Sequence, residues 1–112
     1  MTVRDAIATA IVGAGVLLLG APARAEAPGV YYSWRALDTD PEQCIDRAVR
    51  ALDSESLVDV RVEGNSVVGR NPDATAVFVC LQDSAASTVM VIVASSDDAS
   101  AITLREALKT AF

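Results

Sequence analysis

The sequence predicts an α+β fold: a two-layer sandwich of four or five antiparallel strands and two helices, in the order β-α-β-β-β-β-α. Three observations lead there. Short runs rich in Val, Thr and aromatic residues, several with period-two alternation, recur between turn residues. Two other segments repeat their apolar residues at helical spacing. The helical segments stand second and last, outside an unbroken series of strands, which separates this pattern from repeated βαβ units.

The first strand candidate is Val30 to Leu37. Tyr32, Trp34 and Ala36 fall on one of its faces; Tyr31, Ser33, Arg35 and Leu37 fall on the other. Aromatic side chains mostly fill cores, and Tyr31 and Arg35, sharing a face with Ser33, are the expected exposed members. A helix follows from Pro41 to about Leu52 or Asp53. Asp40 is its candidate N-cap, Pro41 suits the first helical position, and Gln43 is placed for a capping box. Cys44, Ile45, Ala48, Val49 and Leu52 share its apolar stripe.

The stretch "SLVDVRVEGN" alternates, with Val58, Val60 and Val62 on one face and Asp59, Arg61 and Glu63 on the other. Gly64-Asn65 signals a turn, and "SVVGR" returns as a short strand. "ATAVFVCLQ" is a strand between the turn-like "NPDA" and "QDSAAS", with Ala76, Phe78 and Cys80 on one side. "STVMVIVAS" is a further strand, apolar on both faces. The last helix spans about Ala99 to Ala111, with Leu104, Ala107, Leu108 and Ala111 as its stripe and Ser96, Asp97 and Asp98 as capping oxygens. This connectivity resembles a cystatin-like wrap, a helix held in a curved sheet, with one helix added. A ferredoxin-like arrangement is the alternative, but it calls for a strand after the last helix.

The N-terminal residues have the order of a secretory signal peptide. Arg4 supplies a charge, Ala6 to Gly20 form an uncharged apolar run, and Ala23-Arg24-Ala25 is a small-x-small cleavage site. The run is shorter than the roughly 20 residues of a membrane span. Cleavage after Ala25 leaves residues 26–112 as a single exported domain, periplasmic or secreted, with no stable membrane insertion. Loss of Arg4, Arg24 and Asp5 takes 9 basic and 15 acidic side chains to 7 and 14, a net charge of −7. Such a surface repels nucleic acid, whose binding needs phosphate neutralisation.

Two cysteines in a small exported domain favour a disulfide. Cys44 points inward from the first helix and Cys80 inward from its strand, so a helix packed on that sheet face brings the sulfurs together. The loop-entropy model assigns such a bridge about 4 kcal/mol.

The chain has no histidine. That removes His-activated nucleophiles and histidine metal sites, and the sequence is read as non-enzymatic. Asp38, Asp40 and Glu42 have a spacing that hints at Ca²⁺, but the loop glycine and distant bidentate Glu of an EF-hand are missing, so turn and helix-start chemistry accounts for them. No cofactor is expected. "NSVVGR" bears a faint likeness to the Q-x-V-x-G hairpin of cystatins, without its Gln.

More broadly, the pattern is similar to small exported bacterial proteins of unknown function. It is carried by Cys44-Ile45-x-x-Ala48, Val67-Val68-Gly69, Ala76 to Cys80 and Val91 to Ala94. The resemblance implies export and a single disulfide, and brings no activity.

One feature exceeds what two layers need. Val77, Val79 and Leu81 face away from Cys80, and Val89 to Val93 are apolar on both sides. Helices on one face only would leave a contiguous aliphatic patch for a protein partner or a homo-oligomer; a second helix or a curl of the sheet would cover it. The expected function is therefore a non-catalytic module binding through Val77 and Val79. The alternatives are a small-molecule or carbohydrate binder using Tyr31 and Arg35, or a hydrolase inhibitor.

Overall fold

The computed structural model describes residues 27–83 and 86–112; the expected leader lies outside them, as does part of the "QDSAAS" turn. The order is β1 (Gly29–Leu37), α1 (Pro41–Ser54), β2 (Val58–Glu63), β3 (Ser66–Asn71), β4 (Ala74–Gln82), β5 (Ser87–Ser95) and α2 (Asp98–Ala111). All strands pair antiparallel in one open sheet, ordered β1-β5-β4-β3-β2. The last four strands form a meander, and β1 lies outside β5.

Local chemistry sets the element ends. The Asp40 carboxylate accepts the Gln43 amide at 2.8 Å, and Pro41 opens α1 without needing a donor. The same helix stops in a Schellman arrangement. Ser56 adopts φ 63°, its amide donates to Asp53 O at 3.0 Å, and the Leu57 amide donates to Leu52 O at 3.1 Å. Leu57 then turns into the core, 5% exposed. The two-residue turn between β2 and β3 needs a positive φ, which Gly64 supplies at 63°. Asp97 caps α2 by accepting the Ala99 amide at 3.2 Å and the Ser100 hydroxyl at 2.7 Å.

Both helices lie side by side on one sheet face, α1 over β2, β3 and β4, α2 over β1, β5 and β4. Between helices and sheet sit Val67, Ala76, Phe78, Cys80, Val89, Val91 and Val93 from the strands, and Cys44, Ala48, Ala51, Leu52, Ala101 and Leu108 from the helices. Gly69 lets α1 approach: a Cβ there would lie 3.2 Å from Leu57 Cβ and 3.5 Å from Leu52 Cδ1. The Cys44–Cys80 disulfide joins α1 to β4, with Cα atoms 6.0 Å apart. The bridge is consistent with an oxidising compartment.

Two local expectations are corrected. β2 does not alternate throughout. A bulge between Val58 and Arg61, with Asp59 at φ 55°, puts Val58 opposite Arg70 on the uncovered face, while Val60 packs against the core. Asp59 is held there by Arg70 at 3.0 Å. In α2 the stripe runs through Ala101, Leu104 and Leu108 on to Phe112, and Ala111 is exposed. Phe112 stacks on Phe78, ring centres 5.2 Å apart, and so extends the core past the helix end.

Candidate functional site

The register assembles the uncovered sheet face. Across its middle, Tyr32 lies beside Ile92, which lies beside Val77, which lies beside Val68. One step along, Trp34, Met90 and Val79 form the next row. Side chains alternate across a strand, so these residues all point away from the helices. The rings are largely free: Tyr32 is 59% exposed and Trp34 is 64% exposed. Val77, Val79, Met90 and Ile92 are half-buried, shielded by each other rather than by a second layer. No described element crosses this face.

Charge stays at one margin. Toward β2, Arg70 pairs with Asp59 at 3.0 Å and Arg61 approaches Glu63 at 3.8 Å. The β1, β5 and β4 rows carry no ionisable side chain on this face except the Tyr32 phenol. The face is thus apolar and nearly neutral on an acidic protein.

Val77 and Val79 stand at its centre, while Tyr31 and Arg35 lie on the opposite, helix-covered side. The structure does not bring the four together. It also reverses the expected exposure of the aromatics. Tyr31 is half-buried; its hydroxyl donates to the Asp98 carboxylate, which raises its pKa above the ordinary tyrosine value, with desolvation adding to the effect. Gly29 makes room for this contact, since a Cβ there would lie 2.7 Å from Asp98 Oδ1. Arg35 is exposed, as expected, and lies 5.4 Å from the Phe112 ring centre. Arg47 approaches the same ring at 4.2 Å and donates from Nε to Phe112 O at 3.0 Å.

Beside Arg35 is a cleft of about 210 Å³ lined by Ser33, Trp34, Phe78, Val89, Lys109 and Phe112 as well. Tyr31 is not among its walls. The stretch likened to an inhibitory hairpin is a strand paired on both sides, with Val67 and Gly69 buried. It has no free edge to insert into a protease. Among the described residues no three acidic or cysteine side chains converge as a metal site, and no helix is long and apolar enough to cross a membrane.

Sequence reasoning singled out Val77 and Val79 but missed Tyr32 and Trp34 as exposed rings. The available signal was the shared face of Tyr32, Trp34 and Ala36, which carries no charged partner. No protein-family model matches the chain, and no curated protein matches it.

Proposed function

We propose that the protein is exported, cleaved after Ala25, and acts as a non-catalytic module that docks a protein partner or another copy of itself through the uncovered sheet face. The observation that carries this reading is the apolar surface formed by Tyr32, Trp34, Met90, Ile92, Val77 and Val79. An uncovered patch of this kind on a chain of net charge −6 is a region where association removes apolar area without bringing like charges together. The disulfide supports the exported location, and the absence of histidine in the sequence supports a non-catalytic role. The test is site-specific photo-crosslinking in a cell that exports the protein. A probe at Val79 is expected to give a discrete protein adduct, and a probe at Asp46 on the outer side of α1 none. Adducts from Asp46 and none from Val79 would overturn the reading.

The cleft beside Arg35 favours a second reading, a binder of small anionic or carbohydrate ligands, with Arg35 and Lys109 as polar walls and Phe112 as floor. Ligand-induced shifts confined to Ser33, Arg35 and Phe112 would support it.

A further inference from the structure

The two edges of the sheet differ. The β2 edge is six residues long, broken by the bulge at Asp59, and bears Asp59, Arg61 and Glu63. Bulges and charges of this kind keep a strand edge from pairing with another chain. The β1 edge is nine residues long, keeps one register along its whole length, and carries Arg35 as its single charge. It lacks the bulge and the run of charges that guard β2, and among the described residues only Arg105 reaches its outer side, at Tyr32 O.

Which groups face outward follows from alternation. The Cys80 amide donates to Asn65 O at 2.8 Å, so the main chain of Cys80 points toward β3. Val77 and Val79 therefore point toward β5, where their partners Ile92 and Met90 point back. Val89, Val91 and Val93 point the other way, toward Arg35, Ser33 and Tyr31. That leaves Val30, Tyr32, Trp34 and Ala36 with N–H and C=O groups on the outer side of β1. Arg105 Nη1 reaching Tyr32 O at 3.4 Å agrees with this assignment.

We propose that β1 pairs antiparallel with β1 of a second copy about a two-fold axis at Ser33, joining two five-stranded sheets into one. Ser33 is the midpoint of Gly29–Leu37, so this register uses every residue of the strand. Tyr32 then meets Trp34 of the second copy, and Trp34 meets its Tyr32, giving two aromatic cross-strand pairs on the uncovered face. Tyr31 meets Arg35 of the second copy, so the strand's one charge finds an aromatic ring instead of its own like. Val30 meets Ala36. Sliding the register by two residues toward the N-terminus puts Pro28, which has no amide hydrogen, into the ladder. Sliding it the other way sets Trp34 against Trp34 and leaves Gly29 unpaired.

Charge is close to balanced at this edge. Arg35, Arg105 and Lys109 gather on the β1 side with Asp98 and Glu106, while Asp53, Glu55, Asp59 and Glu63, the last two paired with Arg70 and Arg61, lie on or near β2 at the far end of the sheet. Arg105 gives up one long hydrogen bond on pairing and keeps Glu106 at 3.0 Å. The contact is self-complementary, as a two-fold interface must be.

This inference does not depend on the sheet face being a docking surface, and the experiment separates the two. Sedimentation of the oxidised protein from micromolar to millimolar concentration is expected to show a monomer–dimer equilibrium. The amides of Val30, Tyr32, Trp34 and Ala36 should gain exchange protection with concentration, while that of Val62, which the same alternation turns outward on the β2 edge, should not. Ala36→Pro removes one outward donor from each copy at a position where an edge strand tolerates proline, and should weaken the dimer about tenfold or more. Val79→Lys should leave the dimer intact. A monomer at every concentration would overturn the proposal and leave the face reading to its crosslinking test. A dimer dissolved by Val79→Lys and indifferent to Ala36→Pro would also overturn it, in favour of face-to-face docking. The exchange pattern of the wild type decides the matter even if Ala36→Pro does not fold.

Discussion

Reducing the Cys44–Cys80 bridge is the perturbation with the largest calculable effect on this fold. The two cysteines are 36 positions apart, so their bond closes a loop containing most of α1 and all of β2 and β3. The loop-entropy model gives a loss of about 4 kcal/mol when a loop of that length is freed in the unfolded chain. A domain this small has roughly 5–15 kcal/mol in total. At roughly 4–8 °C per kcal/mol, the melting temperature should fall by roughly 15–30 °C. Both sulfur positions are buried, Cys44 at 1% and Cys80 at 4% exposure, and reduction leaves the atoms in place, so the value carries little cavity contribution. Calorimetry of the wild type with and without a phosphine reductant, after confirming complete reduction in denaturant, measures the difference. The Cys44→Ala/Cys80→Ala double variant should melt lower still, because it adds the missing volume. A shift of only a degree or two on full reduction would refute the reasoning, since α1 would then be held to β4 by packing alone.

Two further predictions concern local chemistry. Ser56→Gly should raise stability by about 1 kcal/mol in urea denaturation, because a non-glycine residue now holds φ 63° at the end of α1. In a Tyr32→Phe background, Tyr31 should titrate above the ordinary tyrosine range by ultraviolet absorbance, and Asp98→Asn should bring it down. The sign follows from the raised folded value: the stability from the Tyr31–Asp98 bond is complete below the ordinary tyrosine pKa of about 10 and is lost as pH rises through the folded pKa.

Much of the fold was legible because it is written in short-range chemistry. Asp40, Pro41 and Asp97 mark helix starts through oxygens and backbone geometry that need no tertiary partner. The alternation of β4 separates Phe78 and Cys80 from Val77 and Val79, and the helices made those two sets the covered and uncovered sides. What was not legible depends on distant partners. Ser33 and Arg35 make their side of β1 look exposed, but Phe112, at the other end of the described chain, comes to lie beside Arg35 and over Phe78. Tyr31 is drawn to the helix side by Asp98, far away in sequence. The β2 bulge is invisible in a clean Val-x-Val-x-Val pattern because it is stabilised by Arg70 on the next strand. The placement of β1 beside β5, which creates the unguarded edge, is a choice among topologies that element order alone leaves open.

The most direct measurement is the urea stability of Val79→Lys beside Val91→Lys, lysines on opposite faces of neighbouring strands. If helices cover one face only, Val79→Lys should fold and lie within about 1 kcal/mol of the wild type, the scale of strand propensity alone. Val91, 4% exposed beneath the helices, should not accept the charge, and Val91→Lys should fail to fold cooperatively. Equal and severe loss in both variants would contradict the account, because it would mean that the face carrying Val77 and Val79 is a second core rather than a surface.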